Sequence, residues 1–240
     1  GVIRALRVAA GDLRHGLAHL RRRPVPATAL AAIGVHRFGF GAATVMTVLM
    51  CRYRLTDPAR PERGLALLAV AVGLIGAGYA LAAVVTPPGS DLLGPAGWIT
   101  TCLAVTAAVP VLLALAMSGP VLFAASLLFG LAGQGTKICV DALVQTGVDD
   151  DVRGRAFSIY DMVYNMAFVA AAAGSALVLP TDGFSRPWLF GLGLLYLTAA
   201  VGYRRVNRDQ PALWSRHQRS SSASASSRDS GPRSSRSSFR

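Results

Sequence analysis

Charge is scarce in this chain, and lysine is almost missing. Only 15% of the 240 residues are charged, where a soluble domain usually carries about 25%. With 52% hydrophobic residues, a soluble helical protein is a poor fit. The apolar residues fall instead in several runs of near membrane-spanning length, about 20 residues each. These runs define a polytopic, all-α membrane protein. A signal peptide is excluded, because the first run is too long and five more follow it. Cysteine is also sparse. Cys51, Cys102 and Cys139 are odd in number, far apart, and in or beside apolar runs. They read as reduced packing residues, with neither a disulfide framework nor metal-ligand spacing.

Catalytic patterns are missing as well. No nucleophile, base and orienting group stand together, so an enzyme is not expected. Gly130 to Lys137 (GLAGQGTK) imitates a phosphate loop, but threonine precedes the lysine and no strand leads in. Asp149-Asp150-Asp151 lacks the alternating spacing of a calcium loop. It suits a solvated turn with Asp151 near a helix start. No metal and no cofactor is implied.

What is present is six apolar segments. Their expected spans are A, Pro26 to Met50; B, Gly64 to Thr86; C, Pro95 to Met117; D, Pro120 to Gln145; E, Gly154 to Leu179; and F, Pro187 to Tyr203. Gly73, Gly76 and Gly78 in span B are candidates for close helix approach. Pro87 to Gly94 reads as a turn, and Pro110 as a kink in span C. Residues 1–24 form a basic, weakly amphipathic segment, either lying on the inner leaflet or serving as a plain connector. Residues 25–203 form the transmembrane domain. Residues 204–240 are a Ser/Arg-rich tail that cannot bury a core and is expected to be disordered. The chain has no initiating Met, and it is expected to begin inside a longer gene product.

The net charge of +12 reports orientation before it reports any nucleic acid, and no nucleic-acid partner is implied. Outside the spans, 17 Arg lie on the side of both termini and five on the other. The positive-inside rule then places both termini in the cytoplasm of a cell-membrane protein. Four of the five opposing Arg sit in the A–B loop, the least comfortable part of this assignment.

The charges inside the spans are the functional candidates, because they are expensive in hydrocarbon. On span D, Gln134, Lys137, Asp141 and Gln145 share one helix face. Lys137 is the sole lysine among 24 basic residues, and lysine can lose its proton when buried whereas arginine effectively cannot. The stripe is either a substrate or proton-coupling site or an i,i+4 pair that only joins helices, and both readings stand. The order Lys before Asp is the weaker one for such a pair, so Asp141 could instead serve a cation on another helix. On span E, Ser158, Asp161 and Asn165 form a second polar stripe with Tyr160 and Tyr164 nearby, and Asp161 is either a structural partner of Arg153 or Arg155 or a proton site. Arg37 lies about 20 Å from the end of span A at 1.5 Å per residue, too deep to reach water easily. It should point into the bundle beside Gly41 and Thr44. His36 points elsewhere and reads as a packed, hydrogen-bonded residue.

The run Lys137-Ile-Cys-Val-Asp141, Gln145, then Asp149-Asp-Asp-Val-Arg153-Gly154-Arg155-Ala-Phe-Ser158 resembles the helix ten to helix eleven region of major facilitator superfamily transporters. It is most similar to bacterial drug and siderophore exporters. The likeness covers about Arg14 to Arg204, with A to F as the C-terminal six-helix half. It implies alternating access around a midplane site between two halves. The implied activity is proton-coupled efflux of an amphiphilic small molecule. Arg37, Lys137, Asp141 and Gln134 would contact substrate or protons, and Asp161, Arg153 and Arg155 would form a cytoplasmic gate. The implied partners are the lipid bilayer, the substrate, protons and an N-terminal six-helix half. The competing class is a membrane assembly or regulatory protein that keeps the fold without transporting.

Overall fold

A computed structural model describes residues 24–147 and 150–208. The basic opening segment, the centre of the charged turn and the tail beyond Arg208 lie outside the described residues. Five helices follow one another, with no strand among the described residues: α1 Pro24–Tyr53, α2 Pro61–Leu115, α3 Gly119–Gly147, α4 Asp150–Val178 and α5 Arg186–Val206. Four of them, α1 to α4, are long and apolar enough to cross a membrane.

Helix α2 runs through two expected spans and the turn between them. Its 55 residues would extend about 80 Å if straight. The backbone leaves helical torsions at Gly94, with φ 71° and ψ 159°. That conformation favours glycine, and its ψ suits a residue before proline. Pro95 then starts the second arm with its φ already set. The arms fold back on each other. A Cβ built on Gly135 would meet Cys102 Sγ at 3.1 Å and Thr86 Oγ1 at 3.2 Å, although these two residues lie on opposite sides of the break. The reversal expected across Pro87 to Gly94 is therefore confined to Gly94, and Pro87 and Pro88 stay inside the first arm. Pro110 also remains in helical torsions. One left-handed glycine followed by a helix-starting proline suffices to turn the chain, so the other prolines need not break it.

Close helix approach rests on fewer glycines than the sequence offered. A Cβ on Gly78 would lie 2.4 Å from the Leu127 carbonyl oxygen, and one on Gly130 would lie 2.3 Å from that of Ile75. The first arm of α2 and helix α3 thus touch backbone to backbone. Gly73 and Gly76 face open space, because they fall on other sides of the same arm.

Helices α1 and α3 are central. In each, half of the most apolar window is buried, against 17% in α2 and 11% in α4. Ile33, Ile99, Leu103, Val140, Ile159 and Tyr196 form the shared core. Helix α1 packs on α4, while α2 packs on α3 and α5. Consecutive helices α3 and α4 touch only slightly, which leaves a seam between them. Large apolar side chains such as Leu65, Val84, Met166 and Leu177 are exposed, as expected of surfaces that meet lipid or another protein.

The start of α1 and the end of α5 lie at the same end of the bundle, where Asn207 Nδ2 donates to Thr28 Oγ1 at 3.1 Å. Asn207 also donates from Nδ2 to the Tyr203 carbonyl at 2.9 Å, and its backbone N–H reaches the same oxygen. Helix α5 therefore continues to Val206, past the boundary at 204 expected for the tail.

Candidate functional site

The seam where α1, α3 and α4 meet collects the charges of the bundle interior. Arg37 projects from α1. On α4, Tyr160, Tyr164 and Phe168 recur every four residues and so share one face. Gly41 lets the two helices approach, since a Cβ there would lie 2.3 Å from the Phe168 carbonyl oxygen. The Arg37 guanidinium carbon sits 3.9 Å from the Tyr164 ring centre, 4.8 Å from Phe168 and 5.3 Å from Phe40. Its Nε–H donates a long hydrogen bond of 3.4 Å to the Tyr164 carbonyl. Cation–π contacts of this kind contribute about 0.5–2 kcal/mol each as water is excluded. They supply no countercharge. Among the described residues the ion pairs are Arg54–Asp182 and Lys137–Asp141, so Arg37 has no carboxylate partner there.

Across the seam, Lys137 Nζ contacts Asp141 Oδ2 at 2.6 Å within α3. The i,i+4 contact forms despite its less favourable order. The same ammonium lies 5.6 Å from the Tyr160 ring centre and 5.8 Å from that of Tyr164. These two rings stack at 5.8 Å with 13° between their planes. Tyr164 thus meets cations from two different helices. Asp141 Oδ1 and the Tyr160 hydroxyl are both buried, and these two side chains interact with each other within the seam. Gln134 is half-buried one turn before Lys137.

Other sequence candidates fall elsewhere. Gln145, Asp161, Asn165 and Ser158 are exposed. Ser158 Oγ donates to Gly154 O at 3.0 Å and Asn165 Nδ2 to Asp161 O at 2.8 Å, both within their own helix. The Arg153 and Arg155 side chains lie outside the described residues, and so does any pairing of Asp161 with them. His36 is buried, with its ring 5.3 Å from Phe129. The Tyr196 hydroxyl donates to the His36 carbonyl at 3.1 Å and lies 3.4 Å from Nδ1. It is a packed, hydrogen-bonded residue of the core. The sequence reading placed Tyr160 and Tyr164 near the second polar stripe but did not assign them to Arg37. Phe168 and Phe40 were missed. The signal was there in the four-residue spacing of the α4 rings and in Phe40, which stands three residues after Arg37.

Curated relatives carry the name that residues 137–158 suggested. The chain is 29% identical over 200 residues to an uncharacterized MFS-type transporter of Mycobacterium bovis and to one of Mycobacterium tuberculosis. The match takes in 83% of this chain and 44% of each relative, and falls in their C-terminal part. The chain therefore spans less than half the length of these relatives. No protein-family model matches it, and no solved structure does.

Proposed function

We propose that this chain is the substrate-handling C-terminal portion of a secondary active transporter, built from six membrane spans with both termini in the cytoplasm. The observation that carries the reading is the arrangement around Tyr164. An arginine with no carboxylate partner among the described residues and a lysine–carboxylate pair share one aromatic ring inside apolar helices. Such groups are costly in a bilayer and belong on a substrate or ion path. The likeness to MFS-type transporters supports the same class.

The activity is proton-coupled efflux of an amphiphilic small molecule. Arg37 and Gln134 contact the substrate. Asp141 takes up the proton, and its neutralisation frees the Lys137 ammonium to rearrange. At the cytoplasmic end, Asp161 with Arg153 or Arg155 holds the inward gate. Loss of that gate in Asp161→Ala shifts the inward–outward balance more than it lowers expression, and a double-mutant cycle without coupling between Asp161 and either arginine removes it.

The test of the coupling role is Asp141→Asn in the complete transporter. It abolishes flux driven by a pH gradient and leaves the protein inserted and folded. Normal flux in that variant takes Asp141 out of the mechanism and leaves the Lys137 contact as a joint between helix turns.

A further inference from the structure

Beside the seam lies a half-open cavity of about 330 Å³ between α1, both arms of α2 and α3. Its size is at the lower end of the ~300–1,000 Å³ typical of small-molecule sites. Leu68, Ala71, Val109 and Phe129 form much of its wall, and no charged residue lines it. Its hydroxyls are largely turned to the backbone. Thr44 Oγ1 donates to Phe40 O and Ser126 Oγ to Leu122 O, both at 2.8 Å. The cavity therefore presents apolar surface.

Phe40 belongs to both sites. It lines the cavity, and its ring centre is 5.3 Å from the Arg37 guanidinium carbon. A positive charge without a carboxylate partner among the described residues thus stands one ring away from an apolar chamber. The Lys137–Asp141 pair nearby is neutral in sum and Asp161 lies on the exposed side of α4, so the field close to the guanidinium is positive. That field repels a cationic head group and attracts an anionic one. The guanidinium has five donors, of which Nε is engaged, by a long bond to Tyr164 O.

We propose that Arg37 and this cavity together bind an organic anion with an extended apolar body, the carboxylate or comparable group on Arg37 and the hydrocarbon against Ala71, Val109 and Phe129. This assigns a substrate class, and it rests on the reading of the seam as a transport site. The chamber opens past Thr44 and Val72, which are exposed. An amphiphile could enter there with its apolar end and turn its charge toward Arg37.

The test is equilibrium binding to the whole 240-residue chain in nanodiscs of zwitterionic lipid. The probes are a fluorescent fatty acid and an alkylammonium dye of matched chain length. The fatty acid binds about tenfold more tightly, the scale of a charge-assisted contact. Arg37→Gln removes that preference, while Thr44→Trp at the cavity mouth weakens both probes. If Arg37→Gln does not fold, the head-group comparison in the unaltered chain decides, with the matching neutral alcohol as third probe. Equal affinity for all head groups overturns the proposal, as does a preference that survives Arg37→Gln or binding indifferent to Thr44→Trp. Binding is read without a gradient, so the two ideas fail separately. Anion binding without flux in the complete protein sinks the transporter reading alone. Flux without anion preference sinks the substrate class alone.

Discussion

Arg54, after α1, and Asp182, before α5, form an ion pair with 2.8 Å between Nη1 and Oδ2. The Arg54 guanidinium also lies 4.1 Å from the Phe184 ring centre, and Asp182 Oδ1 accepts from the Phe184 N–H at 3.2 Å. The α1–α2 and α4–α5 connections therefore meet at one end of the bundle. The opposite end holds Thr28 and Asn207. One of the four arginines in the A–B loop thus has a countercharge from a distant loop, which eases the least comfortable part of the positive-inside count.

The pairing puts both connections at one end of the bundle, and the arginine count predicts that this end is outside. Single cysteines placed at Ser118 and Asp182 should react with an impermeant thiol reagent outside intact cells, and one at Asp150 only after the membrane is opened. The native Cys51, Cys102 and Cys139 are buried, so the background should be low. Labelling of the Asp150 position from outside intact cells contradicts the orientation.

The Arg54–Asp182 pair itself should contribute little. Its side chains are 39% and 35% exposed, and exposed pairs typically couple by about 0–1 kcal/mol. A double-mutant cycle with Arg54→Ala and Asp182→Ala, read by thermal unfolding in detergent, should stay within that range and shrink further in high salt. Coupling of several kcal/mol would mean that the loops are shielded from water in the assembled protein.

Helix placement was legible because apolar runs and their bounding prolines are local features, although among the described residues four helices rather than six are long and apolar enough to cross a membrane. Expected span A, Pro26 to Met50, lies inside α1, and the arms of α2 follow spans B and C. The reversal was drawn too broadly, since torsion at one glycine is not visible in composition. Helical spacing put Lys137 and Asp141 on one face but left open whether they pair, and the contact forms. The aromatic surround of Arg37 was not, because Phe40, Tyr164 and Phe168 come from two helices more than a hundred residues apart. Their meeting depends on the Gly41–Phe168 approach. Glycine count was a poor guide for the same reason: Gly78 meets α3, whereas Gly73 and Gly76 meet nothing.

That difference yields a paired test of the α2–α3 contact. Gly130→Val puts side-chain atoms where the Ile75 carbonyl already lies. It should destabilise by at least about 1–3 kcal/mol, the range for overpacked interiors, or prevent folding. Gly76→Ala adds a methyl in open space and should leave thermal stability unchanged or slightly raised through helix propensity. Both are read by unfolding of detergent-purified protein. Comparable tolerance at the two positions would show that α2 and α3 do not meet through backbone.

The outer face of α4 leads to the last prediction. Ser158, Asp161 and Asn165 are exposed there, and so are Met162, Met166 and Val169. A charged carboxylate facing lipid within a span costs several kcal/mol by insertion scales, so this face should be covered by protein. The first arm of α2 is likewise largely unburied. The chain spans 44% of the length of relatives named as MFS-type transporters. We expect Gly1–Arg240, purified and reconstituted alone, to carry out no coupled transport, and co-expression with a segment matching the N-terminal portion of those relatives to restore it. Asp161→Leu should improve the behaviour of the isolated chain in lipid, by removing an uncovered charge, and impair the co-expressed pair. Robust proton-coupled flux from the isolated chain in proteoliposomes would point to a second copy as the covering partner, and cross-linking between α4 faces would then locate it.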